Sequence, residues 1–178
     1  MIAGVIVPGH GYGPQAPLLD LAGEALADRG ATVETITWTV PDGLLDIGPE
    51  PFVRAHVAAM YRLAESARPT TPVIIAKSLG TYAAALAAEQ ELPAIWLTPL
   101  LHIESIAEAI TRNPAPALLV GGTRDPSWVP QVAESANKTI VTIDGGDHGL
   151  RPPGPLRAYT DALGVVGTAM EQFLSEIS

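Results

Sequence analysis

The sequence predicts an α/β protein built on a mostly parallel sheet. Three observations carry that reading. Short apolar runs alternate with amphipathic segments along all 178 residues. The run PVIIA (72–76) is apolar without interruption, as expected of a parallel strand covered on both faces. The connections are short, so successive elements must pack as βα units around a shared core.

The elements follow in order. AGVIVP (3–8) reads as a strand. Leu18, Leu19, Ala22, Ala25 and Leu26 recur at helical spacing, and Gly30 fits the position just past a helix end. TVETITW (32–38) alternates and reads as a strand near a sheet edge. Val53, Val57, Met60 and Ala64 line one helical face ahead of the central strand 72–76. YAAALAAEQE is a strong helix former. AIWLT (94–98), PALLVGG (116–122) and KTIVTID (138–144) are strands. Between them lie a helical stripe of Ile103, Ile106, Ala107 and Ile110 and a short helix near 127–135. RPPGPLR (151–157) is a loop, and Leu163, Val166, Met170, Phe173 and Ile177 mark a terminal helix. The expectation is one domain over residues 1–178, with six strands and helices on both faces of the sheet.

Composition narrows the function classes. Apolar residues make up 47% of the chain and charged residues 16%, which is globular rather than disordered. The net charge of −9 comes from 19 acids against 10 bases, so a nucleic-acid partner is not expected. There is no cysteine, which removes disulfides, thiolate nucleophiles and cysteine zinc sites. The first residues lack a basic segment, and no apolar run reaches the ~18 residues a membrane helix needs. A soluble cytoplasmic protein without a membrane partner is the expectation.

In such sheets ligands sit at the carboxyl ends of the strands. The residues just after each apolar run are GHGYGP, TVPDG, KSLG, TPLLH, GGTRDPS and DGGDHG. Ser78 lies in AKSLG, after a buried strand and before a helix, with Ala76 two positions before it and Gly80 two after. Small neighbours are what a tight strand-to-helix turn requires, and such a turn pushes the serine hydroxyl into the open. A helix cap is the plainer reading of the same serine.

A nucleophilic serine needs a base, and His148 follows the last strand in a glycine-rich loop. The imidazole needs an acid, and Asp125 follows the fifth strand. Asp147 is adjacent to His148 and is read as shaping its loop. His56 is expected on the outer face of its helix and His102 at a rim. Ser78, Asp125 and His148 stand at three strand ends in that chain order. An oxyanion needs two N–H donors. Leu79 offers one from its backbone. The second is assigned to the backbone of His10 in the first loop, or to Tyr12 if that loop registers differently. Tyr12, Trp128 and Leu150 are expected to form an apolar wall for substrate. Lys77 is expected in a salt bridge behind the turn, with attraction of an anionic substrate as the sharper alternative.

With these residues the chain resembles the small α/β-hydrolase family, near its dienelactone-hydrolase-like members. VPGHGYG resembles the oxyanion loop, AKSLG the nucleophile elbow, GGTRDP the acid loop and GGDHGL the histidine loop. The resemblance implies a minimal α/β-hydrolase fold of about six strands without a cap domain. It implies hydrolysis of a small ester or thioester through an acyl-enzyme. Dienelactone hydrolases proper use cysteine, so that activity does not carry over. No cofactor and no metal is implied.

Two rival readings fail on named residues. A phosphate loop would need glycines where Thr71 and Ala76 stand. A dinucleotide fingerprint in GHGYGP would need its third glycine where Pro14 stands. The alternative that keeps the fold is a non-catalytic ligand- or protein-binding module. Oligomeric state is not readable from the sequence.

Overall fold

The computed structural model describes residues 2–67 and 71–178. Six strands form one sheet: β1 (Ile2–Val7), β2 (Thr32–Thr35), β3 (Thr71–Lys77), β4 (Ala94–Leu97), β5 (Ala117–Gly122) and β6 (Thr139–Ile143). Their order across the sheet is β2-β1-β3-β4-β5-β6, and every neighbouring pair is parallel. Among the described residues seven α-helices lie between and after them: α1 (Pro17–Ala27), α2 (Leu44–Ile47), α3 (Glu50–Ala67), α4 (Ala84–Glu89), α5 (Glu104–Arg112), α6 (Pro130–Ser135) and α7 (Leu156–Glu176).

Alternation along the strands sorts the core into two layers. Ala3, Val5, Val7, Ile74, Ala76, Trp96 and Leu119 face α3, α4, α5 and α6. Ile2, Ile6, Val73, Ile75, Leu97, Leu118 and Val120 face α1 and α7. The five α1 residues singled out by periodicity are all buried, and Val166, Met170 and Phe173 seat α7. Each large aliphatic side chain fully buried in this way stabilises the fold by about 1.5–3 kcal/mol.

Two elements differ from expectation, each for a local reason. The second strand stops at Thr35 instead of reaching residue 38. The Ile36 N–H still donates to the Ile6 carbonyl at 3.0 Å. The next ladder bond would need an N–H from residue 8, and Pro8 has none. Residues 36–40 therefore leave the sheet. The helix after β3 begins as a 3₁₀ segment, Ser78–Ala83, before becoming α4. That tighter winding is the exit from the sharp turn at Ser78.

Strand order reverses between β1 and β3. The loop after β1 and the turn after β3 therefore open beside one another, at the crevice where ligands collect in open α/β sheets. Among the described residues no cap domain is inserted, and no helix is long and apolar enough to cross a membrane.

Candidate active site

Ser78 follows β3 with a φ of 50°, a left-handed conformation that is unfavourable for any residue but glycine. Lys77 before it is fully extended, and the 3₁₀ segment starts at once. The close packing that the turn demands is visible at Gly80. A Cβ there would lie 2.9 Å from the carbonyl oxygens of Val7 and Pro8 and from a methyl of Val7. Only glycine lets β1 and the new helix approach so nearly. Ala76 is different. It is buried in register between Val7 and Trp96, and its methyl is part of the core. Thr81 secures the turn by donating its hydroxyl to the Ser78 carbonyl at 2.6 Å.

Tertiary structure brings three strand ends together. His148 Nε2 lies 2.7 Å from Ser78 Oγ, and His148 Nδ1 lies 2.8 Å from Asp125 Oδ2. With Nδ1 carrying the proton toward the carboxylate, Nε2 is left to accept from the serine hydroxyl. Asp125 is buried, and its other oxygen accepts from the Ser127 N–H at 2.9 Å. Burial pushes its carboxyl up. The hydrogen bonds from His148 and Ser127 and the charges of His148 and Lys77 outweigh that, and the carboxyl is held below its ordinary range. It is therefore ionised at neutral pH.

The loops are built to hold these groups. A Cβ on Gly122 would strike the Gly146 carbonyl oxygen at 2.2 Å, so the acid and histidine loops touch backbone to backbone. Asp147 shapes the histidine loop, as expected. Its carboxylate accepts from the N–H groups of Gly149 and Arg151 at 2.8 and 3.0 Å. After β1, the Gly9 N–H donates to the Tyr12 carbonyl at 3.0 Å, and the Tyr12 hydroxyl accepts from the Leu18 N–H at 3.0 Å. Burial pushes the Tyr12 phenol up to about 12, so it stays neutral. The side chain of His10 projects from this loop and is exposed. The Leu79 N–H lies in the first turn of a helix, where it has no acceptor within the helix.

Three sequence expectations are corrected. Tyr12, Trp128 and Leu150 do not form one wall, although Tyr12 packs on the same core layer as Leu150. Trp128 is packed on Gly121 in the core layer under α3–α6, and Leu150 is fully buried in the layer under α1 and α7. The sheet separates them. Lys77 makes no ion pair among the described residues. It is 2% exposed, so it does not attract substrate from solvent. Its ammonium donates to the His148 carbonyl at 2.8 Å and lies 4.9 Å from the centre of the Tyr12 ring. His56 faces inward, packing on Phe52 and Trp38 with ring centroids 4.5 and 5.6 Å away. His102 is exposed beyond β4, as expected of a rim residue.

Sequence reasoning missed Trp38. Once residues 36–40 leave the sheet, its indole N–H donates to the Gly9 carbonyl at 3.3 Å. Residues 8–14 and 37–40 then enclose a cleft of about 380 Å³, with Tyr12, Trp38 and Val40 in its walls. Its signal was an aromatic residue just past a strand end. A larger groove of about 630 Å³ runs between α1 and α7 and shares no residue with this site.

The fold is that of lidless α/β hydrolases. The chain is similar to an α/β serine hydrolase without lid from Xanthomonas campestris, at 17% identity and a TM-score of 0.74, over 98% of this chain and 81% of that one. It is similar to Est1E from Butyrivibrio proteoclasticus, solved with ferulic acid bound, at 15% identity and a TM-score of 0.75, over 99% and 89% of the two chains. It is also similar to the esterase domain of a Rhodothermus marinus protein, at 17% identity and a TM-score of 0.65, over 96% and 84%. No protein-family model matches the sequence, and no curated protein matches it.

Proposed function

We propose that the protein is a serine hydrolase that cleaves small esters or thioesters through an acyl-enzyme. The observation that carries this reading is the continuous hydrogen-bonded chain from Ser78 through His148 to Asp125. Structural likeness to hydrolases and esterases supports the broader class.

In the proposed reaction His148 Nε2 takes the Ser78 proton as Oγ attacks the acyl carbonyl carbon. Asp125 holds the imidazole and stabilises its charged form. The oxyanion is held by the backbone N–H groups of Leu79 and His10. Collapse breaks the bond to the leaving alcohol or thiol, which receives the proton from His148. Water, deprotonated by His148, then attacks the acyl-enzyme, and the acid product leaves as Ser78 regains its proton. The substrate is a small acyl compound that enters an open site, and the reaction needs no cofactor. A cytoplasmic location belongs to the same reading, supported by a chain without cysteine.

The test is labelling with a fluorophosphonate, followed by turnover of nitrophenyl esters and thioesters of increasing acyl length. Wild type labels at Ser78 and turns over, and Ser78→Ala does neither. A folded wild type that stays unlabelled rejects the reading.

A further inference from the structure

We propose that Lys77 is a positioning residue that fixes the His148 loop against the loop after β1 and keeps the imidazole directed at Ser78. This deepens the hydrolase reading and rests on it for its catalytic meaning.

The argument starts from placement. Lys77 is the last residue of β3 and is buried at the point where apolar side chains fill every neighbouring strand. An ammonium in such a place is a liability unless its contacts use it. Its contacts are specific. One N–H donates to the main-chain carbonyl of the base itself. The charge lies over the face of Tyr12, where a ring quadrupole attracts a cation. Tyr12 is in turn tied to Gly9 and Leu18. The lysine backbone carries Ser78. One side chain thus joins the nucleophile turn, the loop that bears His10 and the loop that bears His148.

The groups facing the ammonium are Tyr12 from the loop after β1, Asp125 from the acid loop, and His148 and Asp147 from the histidine loop. Both carboxylates favour its charge. Burial acts against it more strongly and lowers the lysine to about 8. At neutral pH the cation is present. The hydrogen bond to the carbonyl fixes where the ring sits. That placement serves the step in which His148 takes the serine proton.

The test uses Lys77→Met, which keeps the stem without charge or donor, and Lys77→Gln, which keeps a donor without charge. The His148 ring N–H proton bonded to Asp125 is followed by NMR in wild type and both variants. Loss of the donor shifts or broadens that resonance in Lys77→Met, and Lys77→Gln restores it in part. An unmoved resonance in folded Lys77→Met overturns the proposal. Kinetics supply the second readout: kcat of Lys77→Met falls about tenfold or more while KM stays within about threefold. Unchanged kcat also overturns it. Ser78→Ala serves as the blank. If wild type itself does not turn over, the hydrolase reading fails, and the NMR resonance alone decides for or against Lys77.

Discussion

His148 Nε2 and Ser78 Oγ lie 2.7 Å apart although 70 residues separate them in the chain. Three hydrogen bonds flank that pair. Ser127 and His148 orient Asp125, and Lys77 holds the His148 carbonyl. The consequences can be measured one residue at a time.

Ser78→Ala removes the proposed nucleophile and leaves the core intact, since the side chain is only half-buried. Turnover of a nitrophenyl ester is expected to fall by at least about 10³-fold. The melting temperature should stay close to wild type, since alanine at φ 50° carries the same backbone strain as serine. Retained turnover in this variant sinks the proposed mechanism.

Asp125→Asn keeps the shape of the acid and removes its charge. The amide cannot hold His148 in the tautomer that accepts from Ser78, and kcat should drop about 10³–10⁴-fold. The acid also links stability to pH. Its carboxyl titrates lower in the fold than in the unfolded chain, so its stabilisation is present above the unfolded value and is lost as pH falls through the folded one. Acid unfolding of the variant should lack that contribution. Parallel acid titrations monitored by circular dichroism would reveal the difference.

Lys77 links stability to pH in the same direction, at higher pH. In the fold it releases its proton near 8, against 10.5 for an ordinary lysine. Between those values the unfolded chain binds more protons, so this group's contribution makes stability rise with pH there. Below about 8 the full penalty of a buried ammonium is present. Lys77→Met should therefore melt no lower than wild type at pH 7, while losing activity. It should also lose the alkaline rise. A lower melting temperature at pH 7 would mean the lysine contacts outweigh its burial.

Gly80→Ala and Gly122→Ala test the turns. The first forces a methyl to 2.9 Å from two carbonyl oxygens, the second to 2.2 Å from one. Backbone must move in both, at about 1–3 kcal/mol for Gly80 and more for Gly122. Denaturant titration should rank them in that order. Turnover of folded Gly80→Ala should fall as well, because the displaced strand carries the loop after β1.

Trp38 walls the cleft beside that loop. Trp38→Ala widens it and removes the bond to Gly9. The expected result is a shift of preference toward bulkier acyl groups, read as kcat/KM across an ester series. An unaltered ranking would show that substrate does not occupy this cleft.

Sequence alone determined the layers and the order of chemistry along the chain. Hydrophobic periodicity marks the six strands and the helices that cover them, because burial on both faces of a parallel sheet requires continuous apolar runs. The glycine at residue 80, the aspartate at 125 and the histidine at 148 stand where tight turns and strand ends place them. Helical periodicity likewise marked Val53, Val57 and Ala64 as the buried face of α3. What the sequence left undecided was direction. Trp128 and Leu150 read as apolar residues near the site, yet the sheet divides them into opposite core layers. Trp38 read as a strand residue, yet Pro8 ends the ladder and sends it to the mouth. Lys77 read as half of an ion pair, yet its partners are a carbonyl from residue 148 and a ring from residue 12. Each of these depends on contacts between segments far apart in sequence. Local propensity carries no information about such contacts, and only the packed structure fixes them.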